Sequence, residues 1–193
     1  MRNVKKFFAN FREATVLLIV LLAGLVLSLI SPHFFTWANL RSVLIGLSCT
    51  AILAIGTTIV MAGGAIDISL GAQLAMSGSI VGVLFIKGVP ILLAILIALL
   101  SCAAVGLLNG IIISYTTLNP MICTLGTQFV CQGIANVITT GSPQSLRSAP
   151  EFFSFIGKGF VGGFFPMIFL EFLILGIIVD VLMRRSSMVY FAD

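Results

Sequence analysis

Two carboxylates interrupt runs that are otherwise apolar. Asp67 lies in Gly63-Gly64-Ala65-Ile66-Asp67-Ile68-Ser69-Leu70-Gly71, and Glu171 lies in the apolar stretch Phe164–Met183. An ionisable group inside a bilayer is costly, so each points to a polar partner, a water-filled cavity or a path for an ion or solute. The two glycines permit a break in the backbone, after which Asp67 and Ser69 can cap the next helix by accepting hydrogen bonds from its free N–H groups. Two readings of this segment stand side by side. One is a capped turn and nothing more. The other is a broken element lining a solute path, which is tolerated where it faces protein or a cavity. Glu171 has two readings as well, proton coupling or packing against a polar partner or another subunit. Asp180 lies one helical turn before Arg184, the spacing of a helix-end ion pair.

A second polar group follows Asn119-Pro120, where proline suits the first turn of a helix. Thr124, Thr127, Gln128, Gln132 and Asn136 make this short run unusually polar, better suited to protein or water than to lipid. It is the second candidate for lining a path. Asn109 stands between Gly106 and Gly110, and Gly78 and Gly82 form another pair at the same spacing. Small residues spaced this way let helices approach closely, and Asn109 can hydrogen-bond across such a contact.

Catalytic arrangements are missing. The sequence has no GxxxxGK[ST], so it binds no ATP through a P-loop, and it has neither HExxH nor GxSxG. His33 is the only histidine. Asp67 and Asp180 are the one candidate aspartate pair for an intramembrane protease, and both sit near the edges of apolar runs without a supporting motif. Cys49, Cys102, Cys123 and Cys131 have neither CxxC spacing nor histidine partners, so they read as packing thiols and not as a metal or disulfide site.

The elements that hold these residues are membrane helices. Of 193 residues, 60% are hydrophobic and 8% charged, against about 25% charged in a soluble domain. Mean hydropathy is +1.23. A watery surface cannot be built from so few charges, so lipid is the main solvent. Runs near the length of about 20 apolar residues needed to cross a bilayer fall at Ala14–Ile30, Leu44–Met61, Ile66–Ile86, Ile91–Ile113, Met121–Ile138 and Phe164–Met183. They are apolar on consecutive residues, which argues for helices over an alternating barrel. The first run is followed by Ser31-Pro32-His33-Phe34-Phe35, which is not a cleavage site. The expected fold is therefore all-α, a polytopic membrane helix bundle of about six transmembrane helices in one domain, 1–193.

Arg2, Lys5, Lys6 and Arg12 precede the first run, and residues 1–13 are expected to form a basic cytoplasmic flank. Six spans then return the C-terminus, with Arg184 and Arg185, to the same side. Arg41, Lys87, Arg147 and Lys158 fall outside. Trp37, just past the first run, suits the membrane interface. The only long connection, 139–163, is expected to be an external loop with a short amphipathic helix around Phe152–Ile156 resting on the membrane. No folded basic surface is present for nucleic acid.

Several segments resemble the permeases of bacterial ABC importers of the ribose, xylose and autoinducer-2 type. The stretch Gly64–Gly71 is similar to their "GGIDLSVG". Leu108-Asn109-Gly110 is similar to their "NG", and Asn119–Thr127 to "IPPFIVTLGT". Gln132-Gly133 and Thr139-Thr140-Gly141 match the following "RG…TGG" in order and spacing. The resemblance implies a permease of the bacterial inner membrane that performs no chemistry. It pairs with a second permease subunit, takes a monosaccharide from a periplasmic sugar-binding protein, and is driven by separate cytoplasmic ATPase subunits, which alone bind ATP. It also implies that Gly64, Asp67, Ser69, Asn109, Thr124, Thr127 and Gln132 line the substrate pathway. Two departures accompany it. Gln132 stands where the family usually has arginine. Family members are also considerably longer, continuing after the double arginine with a coupling segment and further spans, so a truncated and inactive product, or one needing a separate second half, is expected. The alternatives are an ion-coupled secondary transporter fragment using Glu171 or Asp67, and a non-transporting membrane protein that only packs against partners.

Overall fold

A computed structural model describes residues 12–144, 146, 149–163 and 165–185. The elements in chain order are α1 (Arg12–Ile30), α2 (Trp37–Ala62), α3 (Leu70–Ile86), α4 (Ile91–Tyr115), α5 (Pro120–Thr139), α6 (Glu151–Lys158), β1 (Phe160–Val161), β2 (Phe165–Pro166) and α7 (Met167–Arg185). The chain divides into two compact units, Met1–Gly46 and Leu47–Asp193, with the boundary inside α2.

In the first unit a tight turn follows α1. Thr36 stands just before α2, its hydroxyl oxygen accepting from the Asn39 N–H at 3.4 Å, while Asn39 Nδ2 donates to the Phe34 carbonyl at 2.8 Å. This cap starts the helix at Trp37, ahead of the expected Leu44. Trp37 therefore opens α2, and the Arg41 guanidinium lies 5.2 Å from its ring centroid.

In the second unit α3, α4 and α5 pack against one another. Their sequences explain the faces used. Gln73 and Met76 on α3, Ala94, Ala98 and Asn109 on α4, and Thr124, Cys131 and Ala135 on α5 are buried, at helical spacing along each element. Apart from Met76 these buried residues are small or polar, whereas large apolar side chains such as Leu92, Leu99 and Leu107 lie on the surface. That is the pattern expected when the solvent is lipid: apolar side chains gain nothing by leaving it, and small residues let backbones meet. Met76, Cys131 and Ala135 form the core, with Ala72, Ile80, Cys102 and Val105 against them. All four cysteines are free thiols. Among the described residues no group of His, Cys, Asp and Glu is placed to hold a metal.

Trp37–Ala62, Ile91–Tyr115 and Pro120–Thr139 are long and apolar enough to cross a membrane; Thr15–Ile30 and Leu70–Ile86 are shorter apolar helices. The expected third run loses its first residues because helix formation stops for Gly63–Ser69. The expected sixth begins late, at Met167, because Phe165 and Pro166 pair with Val161 and Phe160 in an antiparallel ribbon. The ribbon turns through Gly162 and Gly163, at φ 61 and 69, values that a side chain resists. Within 139–163 the short helix forms as α6, packed next to α7. The basic residues Arg2, Lys5 and Lys6, Arg147, the position Phe164 and the end of the chain from 186 lie outside the described residues.

The glycine pairs behave differently from the expectation of close helix contacts. A methyl group placed on Gly106, Gly110 or Gly78 would meet no atom of the described residues within 4 Å, so among these residues the three glycines mediate no close approach. Gly82 does meet a neighbour, but it is the connection after α5: a methyl there would lie 2.8 Å from Gln144 Cβ.

Candidate functional site

The break between α2 and α3 is built by the backbone. Gly64, at φ 82, donates to the Met61 carbonyl at 2.9 Å, and the Ala65 N–H donates to the Val60 carbonyl at 3.4 Å. This paired closure ends α2 and needs the left-handed conformation that glycine supplies. The following strap, Ala65–Ser69, crosses α5 and is clasped by one side chain. Thr124 Oγ1 accepts from the Ile68 N–H at 3.2 Å and donates towards the Ile66 carbonyl at 3.4 Å and the Met121 carbonyl at 3.3 Å. Thr124 is 2% exposed, and through it α5 satisfies part of the irregular backbone of the strap.

Asp67 and Ser69 interact as the sequence suggests, with one correction. Ser69 is the residue before α3, but its own backbone is helical, at φ −77 and ψ −11, and its hydroxyl makes no cap bond. A side chain projecting from that conformation is not aimed at the first free N–H groups of the helix. The Asp67 carboxylate takes over: Oδ1 accepts the Ser69 N–H at 2.7 Å and the Ser69 hydroxyl at 2.5 Å. Gln73, one turn into α3, donates through Nε2 to Ser69 Oγ at 2.8 Å. Ser69 and Gln73 are buried and Asp67 is half-buried.

One turn along α5 from Thr124, the Thr127 hydroxyl donates to Asn109 Oδ1 of α4 at 2.5 Å, and Cys123 Sγ approaches the same oxygen at 3.9 Å. Asn109 is 5% exposed and its Nδ2 is sealed without a partner among the described residues. Farther along α5, Gln128 and Gln132 face Ile68 and the small residues Gly71, Ala72 and Ala75 of α3 across a crevice of about 240 Å³. The Gln128 amide oxygen is buried and has no partner among the described residues. Asn119 sets the start of α5, its Oδ1 accepting from the Met121 N–H at 2.9 Å with Pro120 in the first turn.

Of the candidate pathway residues, Asp67 and Ser69 bond to each other, and Thr124 holds the strap backbone on either side of Asp67, at Ile66 and Ile68. Asn109 and Thr127 form a pair beside it, and Gln132 lines the crevice. Gly64 contributes its backbone conformation, and a side chain placed on it would meet no atom of the described residues within 4 Å. Two further residues belong to this region. Gln73 has a visible signal in the sequence, since it falls four residues after Ser69 and so shares a helix face with it. Gln128 stands out in the sequence by its polarity, but only packing shows that it is partly buried beside the crevice. Glu171 lies half-buried on α7, and Asp180 pairs with Arg184 at 2.9 Å on an exposed stretch of the same helix. The whole arrangement offers hydroxyls and amides with one carboxylate, which can hold hydrogen-bonding solutes or partner groups.

Comparison with known proteins agrees with this chemistry. Residues 39–188 match a family described as "Branched-chain amino acid transport system / permease component". The ribose import permease protein RbsC of Haemophilus influenzae is 33% identical over 154 residues, which is 79% of this chain and 47% of that protein. RbsC of Escherichia coli K12 is 35% identical over 142 residues, 74% of this chain and 44% of that protein. The autoinducer 2 import system permease protein LsrD of Salmonella paratyphi B is 36% identical over 145 residues, 72% and 43% respectively. The chain spans less than half the length of these relatives. No solved structure matches it. The chain belongs to the permease-component family of bacterial transport systems, as a multi-pass protein of the inner membrane and not an enzyme.

Proposed function

We propose that this chain is a transmembrane permease subunit of an ATP-driven importer for a monosaccharide. It forms the translocation path together with a second permease subunit. Cytoplasmic ATPase subunits and a periplasmic sugar-binding protein complete the assembly. The observation that carries this reading is the strap Ala65–Ser69 clasped to α5 by Thr124, beside a crevice lined by neutral amides, in a chain of this permease family. Primary amides such as Gln128 and Gln132 donate and accept at once, which suits sugar hydroxyls. The glutamine at 132, in place of the arginine usual in the resembling permeases, leaves the crevice lining without a formal charge. That favours a neutral solute. The names of the relatives, ribose and autoinducer 2 import permeases, point to the same class.

In this reading Gly64 supplies the break, and Asp67, Ser69, Asn109, Thr124, Thr127 and Gln132 border or brace the path. The helices form one transmembrane domain of about six spans with both termini cytoplasmic. Residues 1–13 are its basic inner flank and 139–163 its external connection, with α6 at the membrane surface.

The test is uptake of radiolabelled D-ribose by cells producing the chain together with the ATPase and binding protein of a ribose importer. Co-purification of the ATPase, with any uptake stopping on ATP depletion, is the expected result. Co-purification of neither partner and no uptake would overturn the importer reading. Uptake that survives ATP depletion and needs a proton gradient would favour ion coupling instead, with Glu171→Gln as the variant that decides its residue.

A further inference from the structure

Gln128, Gln132 and Asn136 follow one another at four-residue intervals on α5, so they share one face and are stacked about 6 Å apart along the helix. Helix α3 runs beside this face in constant register. Thr124 meets Ile68, Gln128 and Gln132 share the crevice with Gly71, Ala72 and Ala75, and Asn136 and Thr139 share a second cavity with Gly78 and Ser79. The two cavities, of about 240 and 310 Å³, therefore succeed each other along a single groove between α3 and α5. The groove has an end. Past Thr139 the connection bends over α3, where a methyl on Gly82 would lie 2.8 Å from Gln144 Cβ. Gln144 is held there by its own amide, whose Nε2 donates to the Ser142 carbonyl at 2.9 Å.

The second cavity is polar and uncharged. Ser79, Asn136, Thr139, Ser142 and Gln144 line it, and no charged side chain borders it among the described residues. Gln132 and Asn136 are exposed and make no side-chain hydrogen bond among the described residues. Exposed amides on a helix able to cross a membrane are costly against lipid, so water or a polar ligand must meet them. Amides and hydroxyls that both donate and accept, without a formal charge, match a neutral solute with several hydroxyls. The volume of about 310 Å³ falls within the range of small-molecule sites, about 300–1,000 Å³. A partner helix, about 10–12 Å across with its side chains, would not enter it. We propose that this cavity is a second station for a neutral polyhydroxylated solute, one turn along α5 from the Gln132 crevice, and that the solute passes between the two along the amide face. The proposal rests on the solute-path reading and deepens it by giving the path a second site, on residues which that reading does not include.

The experiment is cysteine labelling in membranes holding the full chain, with a charged, water-soluble methanethiosulfonate as reagent and D-ribose as the protecting solute. Ala75→Cys reports on the first cavity and Ser79→Cys on the second, and neither change removes an amide. Leu99→Cys, on the exposed apolar side of α4, is the control, and the four native thiols give the background. Both groove thiols should label about tenfold or more faster than Leu99→Cys, because a thiolate forms in water and not in lipid. D-ribose at its dissociation constant should slow both about twofold, and further at higher concentration, as filled sites are shielded. Glycine betaine, an osmolyte without hydroxyls, should slow neither. Asn136→Leu added to Ser79→Cys should abolish protection at position 79, and added to Ala75→Cys should leave protection at position 75. Ser79→Cys labelling no faster than Leu99→Cys would show a cavity closed to water and overturns the second station. Protection at 75 without protection at 79 overturns it too, and leaves the first crevice and the importer reading standing. Protection at neither, or equal slowing by betaine, overturns both the station and the sugar path. Loss of protection at both positions in Asn136→Leu would make Asn136 a support of the fold and overturns its contact with solute. Should Asn136→Leu fail to fold, the two single-cysteine protections decide by themselves.

Discussion

Thr124→Val removes a hydroxyl and replaces it with a methyl of nearly the same size, so it tests the clasp without opening a cavity. The Ile68 N–H loses its acceptor at 3.2 Å, and the Ile66 carbonyl loses its donor at 3.4 Å. The second bond is long for O–H···O, which averages about 2.8 Å, and the Ile66 carbonyl has a spare lone pair. The cost therefore comes chiefly from the orphaned N–H, placed against a threonine that is 2% exposed. Leaving such a donor unsatisfied costs about 1–3 kcal/mol, which corresponds to roughly 5- to 150-fold in a local equilibrium. The assay is amide hydrogen exchange of the chain in detergent or nanodiscs, read at the strap 65–69. Exchange there should accelerate by that factor in Thr124→Val, while the interior of α4 stays unchanged. Thr124→Ser keeps the hydroxyl and should exchange close to the native rate. Unchanged exchange at Ile68 in Thr124→Val would refute the reasoning, since the strap would then be held by something other than the clasp.

Two further predictions concern backbone and packing. Gly82→Ala should lower thermal stability, by about 1–3 kcal/mol as an overpacked contact, because the added methyl would lie 2.8 Å from Gln144 Cβ. Gly78→Ala, with open space around it, should be neutral or stabilising by up to about 1 kcal/mol from helix propensity; melting followed by circular dichroism separates the two, and equal shifts would contradict the assigned approach. Thr140 closes α5 in the left-handed region at φ 52, where a β-branched residue costs about 1–2 kcal/mol. Thr140→Gly should therefore raise the melting temperature, and a fall would show that its hydroxyl, 2.7 Å from the Thr139 carbonyl, matters more than the strain.

The sequence alone determined the solvent of this protein, its helical class and the segments where the helices break. Those follow from composition and from one-dimensional signals: few charges, consecutive apolar runs, Gly63-Gly64 before Asp67, and Asn119-Pro120 at the head of α5. The permease family was legible as well, because short motifs in a fixed order carry it. Helix ends were less legible. Trp37 opens α2 through a cap from Thr36, and Met167 opens α7 only after a ribbon forms, and both depend on side-chain or strand partners that periodicity does not report. The partners of the candidate residues were decided by tertiary structure. Thr124 meets a strap more than fifty residues earlier in the chain, and Thr127 meets Asn109 on another helix. The sequence marks such residues as out of place in lipid. Which of them meet depends on how α3, α4 and α5 rotate to bury their small and polar faces, and that choice is made by packing between helices, where lipid offers no hydrogen bonds to compete.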